Sequence, residues 1–529
     1  MSVAWPLFHA HLPILPILLP LLAGLLMLFP PLSKALTAQR LLGLASILLQ
    51  GLLAVLLLLQ TADGQLRLYA LGQWPAPFGI MLMVDQLGAL MLLLTAVLAL
   101  GALLYACAGS DVQGSFFHPL FQLQLLGING AFLTGDLFNL FVFFEVLLMA
   151  SYSLLMHGEN RQRTRAALHY VILNLVGSSI FLIALGTLYG TLGTLNMADM
   201  AVQVKHLDPT LVPLVKAGAL MLLIVFALKA AMLPLHFWLA RTYAEASPAV
   251  AALFCIMTKV GIYAILRVYS LIFGDQAGPL ADLAAVWLWP LALLTLIIGA
   301  ISALTSSSLR KLNANLIIVS VGTLLAVVAL NDRQATAAAL VYLIHSTLIT
   351  AGVFLLAAMI AEQRGRSADH LVAGRPMAQP LLLGVGFVVA ALALIGMPPF
   401  SGFIGKLMIL QATAGLEGKV WLWPCLLLSS LIILVAMSRA GTTLFWRING
   451  EHRSTSKSGV LQLAGVSVLL LAAPLITFFA ADLSQLTSQI SEQLYQPQRY
   501  IDQVFPMGEK QLGAAAEQLT SSPAAGATP

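Results

Sequence analysis

Fourteen apolar runs follow one another through this chain with little polar sequence between them, each close to the roughly 20 residues that a helix needs to cross about 30 Å of hydrocarbon. They fall near 12–33, 40–60, 82–106, 116–134, 137–156, 166–190, 211–240, 248–271, 283–305, 314–330, 337–361, 380–413, 420–446 and 460–480. Backbone in lipid must satisfy its own N–H and C=O groups, so such runs form helices. The expected fold class is an all-α polytopic membrane protein of about 14 transmembrane helices. Composition agrees, because 9% of the residues are charged and 60% are hydrophobic, whereas soluble chains carry about 25% charged residues. The longest polar stretch, after residue 481, is too short for a soluble catalytic domain.

The first run has no basic segment ahead of it and no small-residue cleavage site, so it reads as a retained helix rather than a removed signal peptide. Cys107, Cys255 and Cys425 lie far apart with no C-x-x-C pair and no histidine at ligand spacing, which argues against zinc, iron–sulfur and disulfide readings. No glycine-rich phosphate loop occurs. No cofactor or resident metal is implied, and the net charge of +5 reflects basic loops rather than a nucleic-acid surface.

With the amino terminus outside, the cytoplasmic loops hold fifteen Lys and Arg residues, among them Arg161, Arg163, Arg165, Arg241, Arg310 and Lys311, against six in the opposite loops and span ends. The positive-inside rule then places both termini outside. Three lysines stay within apolar spans: Lys229, Lys259 and Lys406. Most acids lie in loops, the tail or span ends, including Asp85 and Asp136, where a carboxylate favours the start of a helix. Only Glu145, in "FVFFEVLLMASY", is near a span centre.

A charge inside the membrane costs a few kcal/mol, roughly 2.5–3.5 on insertion scales, and marks either a structural contact between helices or an ion path. A buried lysine is destabilised in its charged form by desolvation and restored by a nearby carboxylate, so its proton affinity follows the position of its partner. Glu145 and Lys229 are expected to face each other as acid and main counter-charge. His345, in "VYLIHSTLIT", adds a group suited to passing protons near neutral pH. His169 and His236, nearer span ends, are weaker candidates.

Pro234 in "AMLPLHF" and Pro398 and Pro399 in "IGMPPFSGFIGK" each break a span near a lysine. Paired broken helices point to inverted repeats with an ion site at mid-membrane. The expected organisation is an N-terminal three-helix segment (1–115), a first five-helix repeat (116–272), a second (283–446), a last transmembrane helix (460–480) and a tail (481–529). In the tail, Leu483, Leu486, Ile490 and Leu494 share one helix side, so a short amphipathic helix is expected on the membrane or on a neighbouring subunit. The last dozen or so residues are expected to be disordered.

The stretches "FFEVLLMASYSLL" (143–155), "LKAAMLPLHFWL" (228–239), "ALFCIMTKVGIYAILRVY" (252–269) and "GMPPFSGFIGKLMIL" (396–410) resemble the antiporter-like subunits shared by Mrp cation/proton antiporters and respiratory complex I. The resemblance covers nearly everything before residue 481, and "FEVLLMASY" and "PPFSGFIGKL" are most similar to the D-type branch. It implies that Glu145, Lys229, Lys259, His345 and Lys406 form a proton-transfer chain across mid-membrane. The chain would then be a secondary-transport subunit, not an enzyme. It would exchange Na⁺ or K⁺ for H⁺ in a bacterial inner membrane, together with an A-type subunit and small membrane subunits. The alternative within the family is a proton-pumping subunit of complex I or of a membrane-bound hydrogenase. A carrier for an organic solute has less support, since no polar, aromatic-lined constellation surrounds the breaks.

Overall fold

A computed structural model of the chain describes residues 11–74, 76–158, 160–450 and 454–505. Each of the fourteen apolar segments contains a helix, and among the described residues eleven helices are long and apolar enough to cross a membrane. The other three, Leu12–Leu26, Phe117–Leu133 and Pro380–Ile395, are shorter, and the last continues through a break into Ser401–Ala412. Several helices begin on a side-chain cap that satisfies a free N–H group. Asp85 accepts from Gly88 N at 2.7 Å, Asp136 from Asn139 N at 2.8 Å, and Asp332 from Ala335 N at 2.8 Å.

The helices differ sharply in position. Pro248–Leu271 and Arg333–Arg364 are wholly enclosed along their apolar windows, and Leu309–Val328 and Gln86–Ala106 nearly so. Leu36–Gln60, Arg161–Leu192 and Lys419–Phe445 keep most of their apolar surface on the outside, where a membrane would cover it. The enclosed helices carry Lys259, Ser320 and His345.

Ion pairs join segments at both ends of the bundle. At the end opposite the basic loops, Arg267 donates to Asp85 at 2.5 Å with both side chains buried. Sequence alone places Arg267 only at a span end and Asp85 only at a helix start. At the basic end, Asp111 accepts from Arg40 Nε at 2.7 Å and Nη2 at 2.8 Å, while His118 Nε2 lies 3.0 Å from the same carboxylate. Cys107, Asp111 and His118 therefore gather at metal-ligand distances, a grouping that the cysteine spacing does not suggest. Arg40 already supplies the positive charge that both Asp111 oxygens face.

Burial alone would raise the Asp111 carboxyl, but hydrogen bonds from His118 and Arg40 outweigh it and hold the group at about 2. A carboxyl depressed in the folded state stabilises fully above its unfolded value, near 4, and loses that contribution as pH falls through about 2. Asp111→Ala is expected to destabilise the solubilised protein at pH 7 by about 3 kcal/mol, since it strands a half-buried arginine. The difference from the parent should shrink as the pH falls from 4 toward 2. Thermal unfolding across that range checks this, and a constant difference would contradict the assignment.

In the tail, Ala480–Leu494 is helical, and so is Pro497–Val504, and both pack against other helices of their own chain. Ile490 and Leu494 are buried, Ser491 Oγ donates to Arg333 O at 2.7 Å, and Leu66 N donates to Gln503 Oε1 at 2.6 Å. The apolar side finds a surface within the molecule, which periodicity cannot identify. The expected disordered end lies outside the described residues.

Candidate functional site

The first break follows from local chemistry. Val212–Ala230 ends where Ala231 takes φ 60°, and Pro234 cannot donate to the preceding turn. The freed backbone is satisfied by protein groups: Trp238 Nε1 donates to Leu228 O at 3.1 Å, and Leu233 N donates to Thr295 Oγ1 at 2.9 Å. Lys229 sits in the last turn before the break, with 5% of its surface exposed. Gly261 brings the Lys259 helix against it, because a Cβ there would lie 2.6 Å from Ala230 N.

Lys229 Nζ donates to Asn174 Oδ1 at 3.1 Å and lies 5.9 Å from the centroid of the Phe144 ring. The half-buried Glu145 instead accepts from Ser178 Oγ. No ion pair among the described residues joins Glu145 and Lys229 directly, although Glu145 lies within electrostatic reach of the lysine. The helix Arg161–Leu192 packs against both of their helices and presents Asn174 to one and Ser178 to the other. These two residues are four apart and so share a helix face. Sequence reasoning missed them. The signal, Asn and Ser at i and i+4 in the apolar stretch "LNLVGSSIF", was present.

Lys259 is fully buried and donates to Ser320 Oγ at 3.0 Å. The second break resembles the first in ending on a left-handed residue, Gly396 at φ 85°. Ser401–Ala412 then restarts close to the end of its predecessor, where a Cβ on Gly402 would lie 1.8 Å from Ala393 O and 2.9 Å from His345 Nε2. Ser401 opens this second half, and its Oγ is 2.8 Å from His345 Nδ1, with the donor set by the imidazole tautomer. Lys406 Nζ spans the break, donating to Ile395 O at 2.9 Å and to Ser430 Oγ at 2.8 Å. His236, ranked low from sequence, lies in the first break with Nδ1 buried and unpartnered.

The five candidate groups thus share one arrangement. Each touches a hydroxyl or carboxamide on a neighbouring segment, and none forms an ion pair among the described residues. A serine hydroxyl both donates and accepts. It can receive a hydrogen bond from an ammonium and, after rotating, give one to the neutral amine, so the contact survives either protonation state. A carboxylate in that place would favour the charged state alone.

Residues 134–433 match the family described as NADH:quinone oxidoreductase/Mrp antiporter, TM. The chain belongs to this family. The matched region contains both breaks and all five candidate groups. Among its relatives is the D-type subunit of a probable K(+)/H(+) antiporter from Rhizobium meliloti (strain 1021), 40% identical, with 94% of this chain and 97% of that protein covered. The D-type subunit of the Na(+)/H(+) antiporter from Bacillus subtilis (strain 168) is 36% identical, with 93% and 99% covered. A chain of the Mrp complex from Dietzia sp. DQ12-45-1b has the same fold, with TM-score 0.82, 28% identity, and 95% of this chain and 100% of that chain covered.

Proposed function

We propose that this chain is the D-type member of an Mrp antiporter complex and carries protons through the bacterial inner membrane in exchange for Na⁺ or K⁺, driven by the proton-motive force. The observation that carries the reading is the set of three buried lysines and one buried histidine held by hydroxyl, carboxamide and carbonyl partners. A purely structural charge at this depth would call for an opposite charge beside it. Groups that must gain and lose a proton are better served by partners that tolerate both states. The named relatives and the Mrp complex chain support the same assignment.

In this reading a proton passes between Glu145 and Lys229 by way of Ser178, Asn174 and water, then through Lys259 to His345 and Lys406. The two breaks belong to five-helix units at 116–272 and 283–446, arranged as inverted repeats. The partners are an A-type subunit and the small membrane subunits, with the basic loops facing the cytoplasm.

Glu145→Gln tests the acid end of this path, because it keeps size and hydrogen bonding to Ser178 while removing the titratable charge. The variant complex is expected to assemble at normal levels and to lose cation/proton exchange in everted membrane vesicles. Normal exchange would remove Glu145 from the path. Loss of assembly would make it a structural contact instead.

A further inference from the structure

Beside the first break, at the basic end of the bundle, a cleft of about 1030 Å³ opens between the start of Arg161–Leu192, the half-helix Leu239–Glu245, and the turn that joins Ala285–Thr305 to Leu309–Val328. Arg161, Arg165, Arg241 and Lys311 line it, and Glu245 is the one acidic residue among the described residues of its lining. None of the four cations belongs to an ion pair among the described residues. Two helices begin beside the cleft, at Arg161 and Leu309, each with a side-chain cap from Asn160 or Ser308.

Four like charges in one cleft repel one another. They also oppose the approach of a proton or alkali cation along this side of the break. A bound anion relieves both effects. The apolar rim indicates its source: Leu168 and Phe237 line the cleft and are 61% and 50% exposed. Exposed Ile172 and Leu175 continue from Leu168 along the same helix. The spacing 165, 168, 172, 175 keeps one helix face, so an apolar track runs from Arg165 away from the basic end.

We propose that this cleft binds the phosphate headgroup of an anionic phospholipid, whose acyl chain lies along that track, and that the headgroup braces the half-helix following Lys229. Basic pockets between helices at a cytoplasmic surface are suited to such headgroups. The inference rests on the cytoplasmic placement of the basic loops in the function proposed above. Its test counts lipids and does not require transport.

The intact complex is purified, washed with neutral detergent, and analysed for retained phosphatidylglycerol. Melting is then followed with added dioctanoyl phosphatidylglycerol or with inorganic phosphate. The parent is expected to retain more anionic lipid than the double variant Arg165→Gln/Lys311→Gln, and short-chain phosphatidylglycerol should raise its melting temperature where phosphate does not. The charge-preserving double variant Arg165→Lys/Lys311→Arg should retain lipid as the parent does, which separates loss of the site from loss of folding. Equal retention in parent and Gln variant would overturn the proposal. Equal protection by phosphate would replace the lipid with a free anion. A crosslink from Arg165→Cys to another subunit, with no lipid retained, would assign the cleft to a protein partner.

Discussion

Lys229→Met is expected to leave the complex assembled and to lower cation/proton exchange by about 100-fold or more, the scale on which a positioned proton-transfer group acts. Methionine keeps the length and apolar stem of lysine at a site where 5% of the surface is exposed. Exchanging a buried charge for an apolar side chain of similar volume is often neutral or stabilising. Asn174 loses a donor but remains next to the break, a cost of about 1–3 kcal/mol at most. Assembly and transport should therefore separate. Arginine at 229 should fail as well, because a guanidinium stays protonated and cannot release a proton. Exchange at the parental rate in the Met variant, measured in everted vesicles with subunit levels matched, would exclude Lys229 from the path.

The second large effect concerns Lys406, and the structure changes which substitution is informative. Alanine there removes the titratable amine and also strands Ile395 O, the last carbonyl before the second break. An unsatisfied buried carbonyl costs about 1–3 kcal/mol. Lys406→Ala would thus weaken the break and the proposed relay together. Lys406→Gln retains an N–H donor for Ile395 O and Ser430 Oγ but carries no proton between states. The Gln variant is expected to assemble normally and still lose exchange by about 100-fold, whereas the Ala variant should also melt earlier. Equal melting in the two variants would mean that the lysine does not brace the break. Parental exchange in Lys406→Gln would remove it from the relay.

The partner of each candidate group is where sequence and structure part. Glu145, Lys229, Lys259, His345 and Lys406 stand out in the sequence because a titratable group among apolar residues is costly and therefore rare. Ser178, Ser320, Ser401 and Ser430 do not stand out. A serine in a membrane helix costs little and commonly bonds its own backbone, as Ser320 does to Ile317 O at 2.8 Å and Ser430 to Leu426 O at 2.8 Å. Whether such a hydroxyl also meets a lysine depends on how two helices are turned toward each other. The same applies to Arg267 and Asp85, which are 182 positions apart and in contact at 2.5 Å.

By itself the sequence determined the apolar segments, the predominantly helical class, the positions of both breaks and the five titratable groups within the spans, because each follows from the cost of polar atoms in hydrocarbon and from proline's missing N–H. Only the tertiary structure decided which helices lie at the centre. Pro248–Leu271 is wholly enclosed while Arg161–Leu192, a comparably apolar helix, has most of its apolar window open. Lipid tails are as apolar as leucine, so hydrophobicity does not tell a helix facing protein from one facing the membrane. That choice placed Arg161–Leu192 against both the Glu145 and the Lys229 helices, with Asn174 and Ser178 as their partners. It rests on packing and hydrogen bonds between segments far apart in the chain, which no local pattern records.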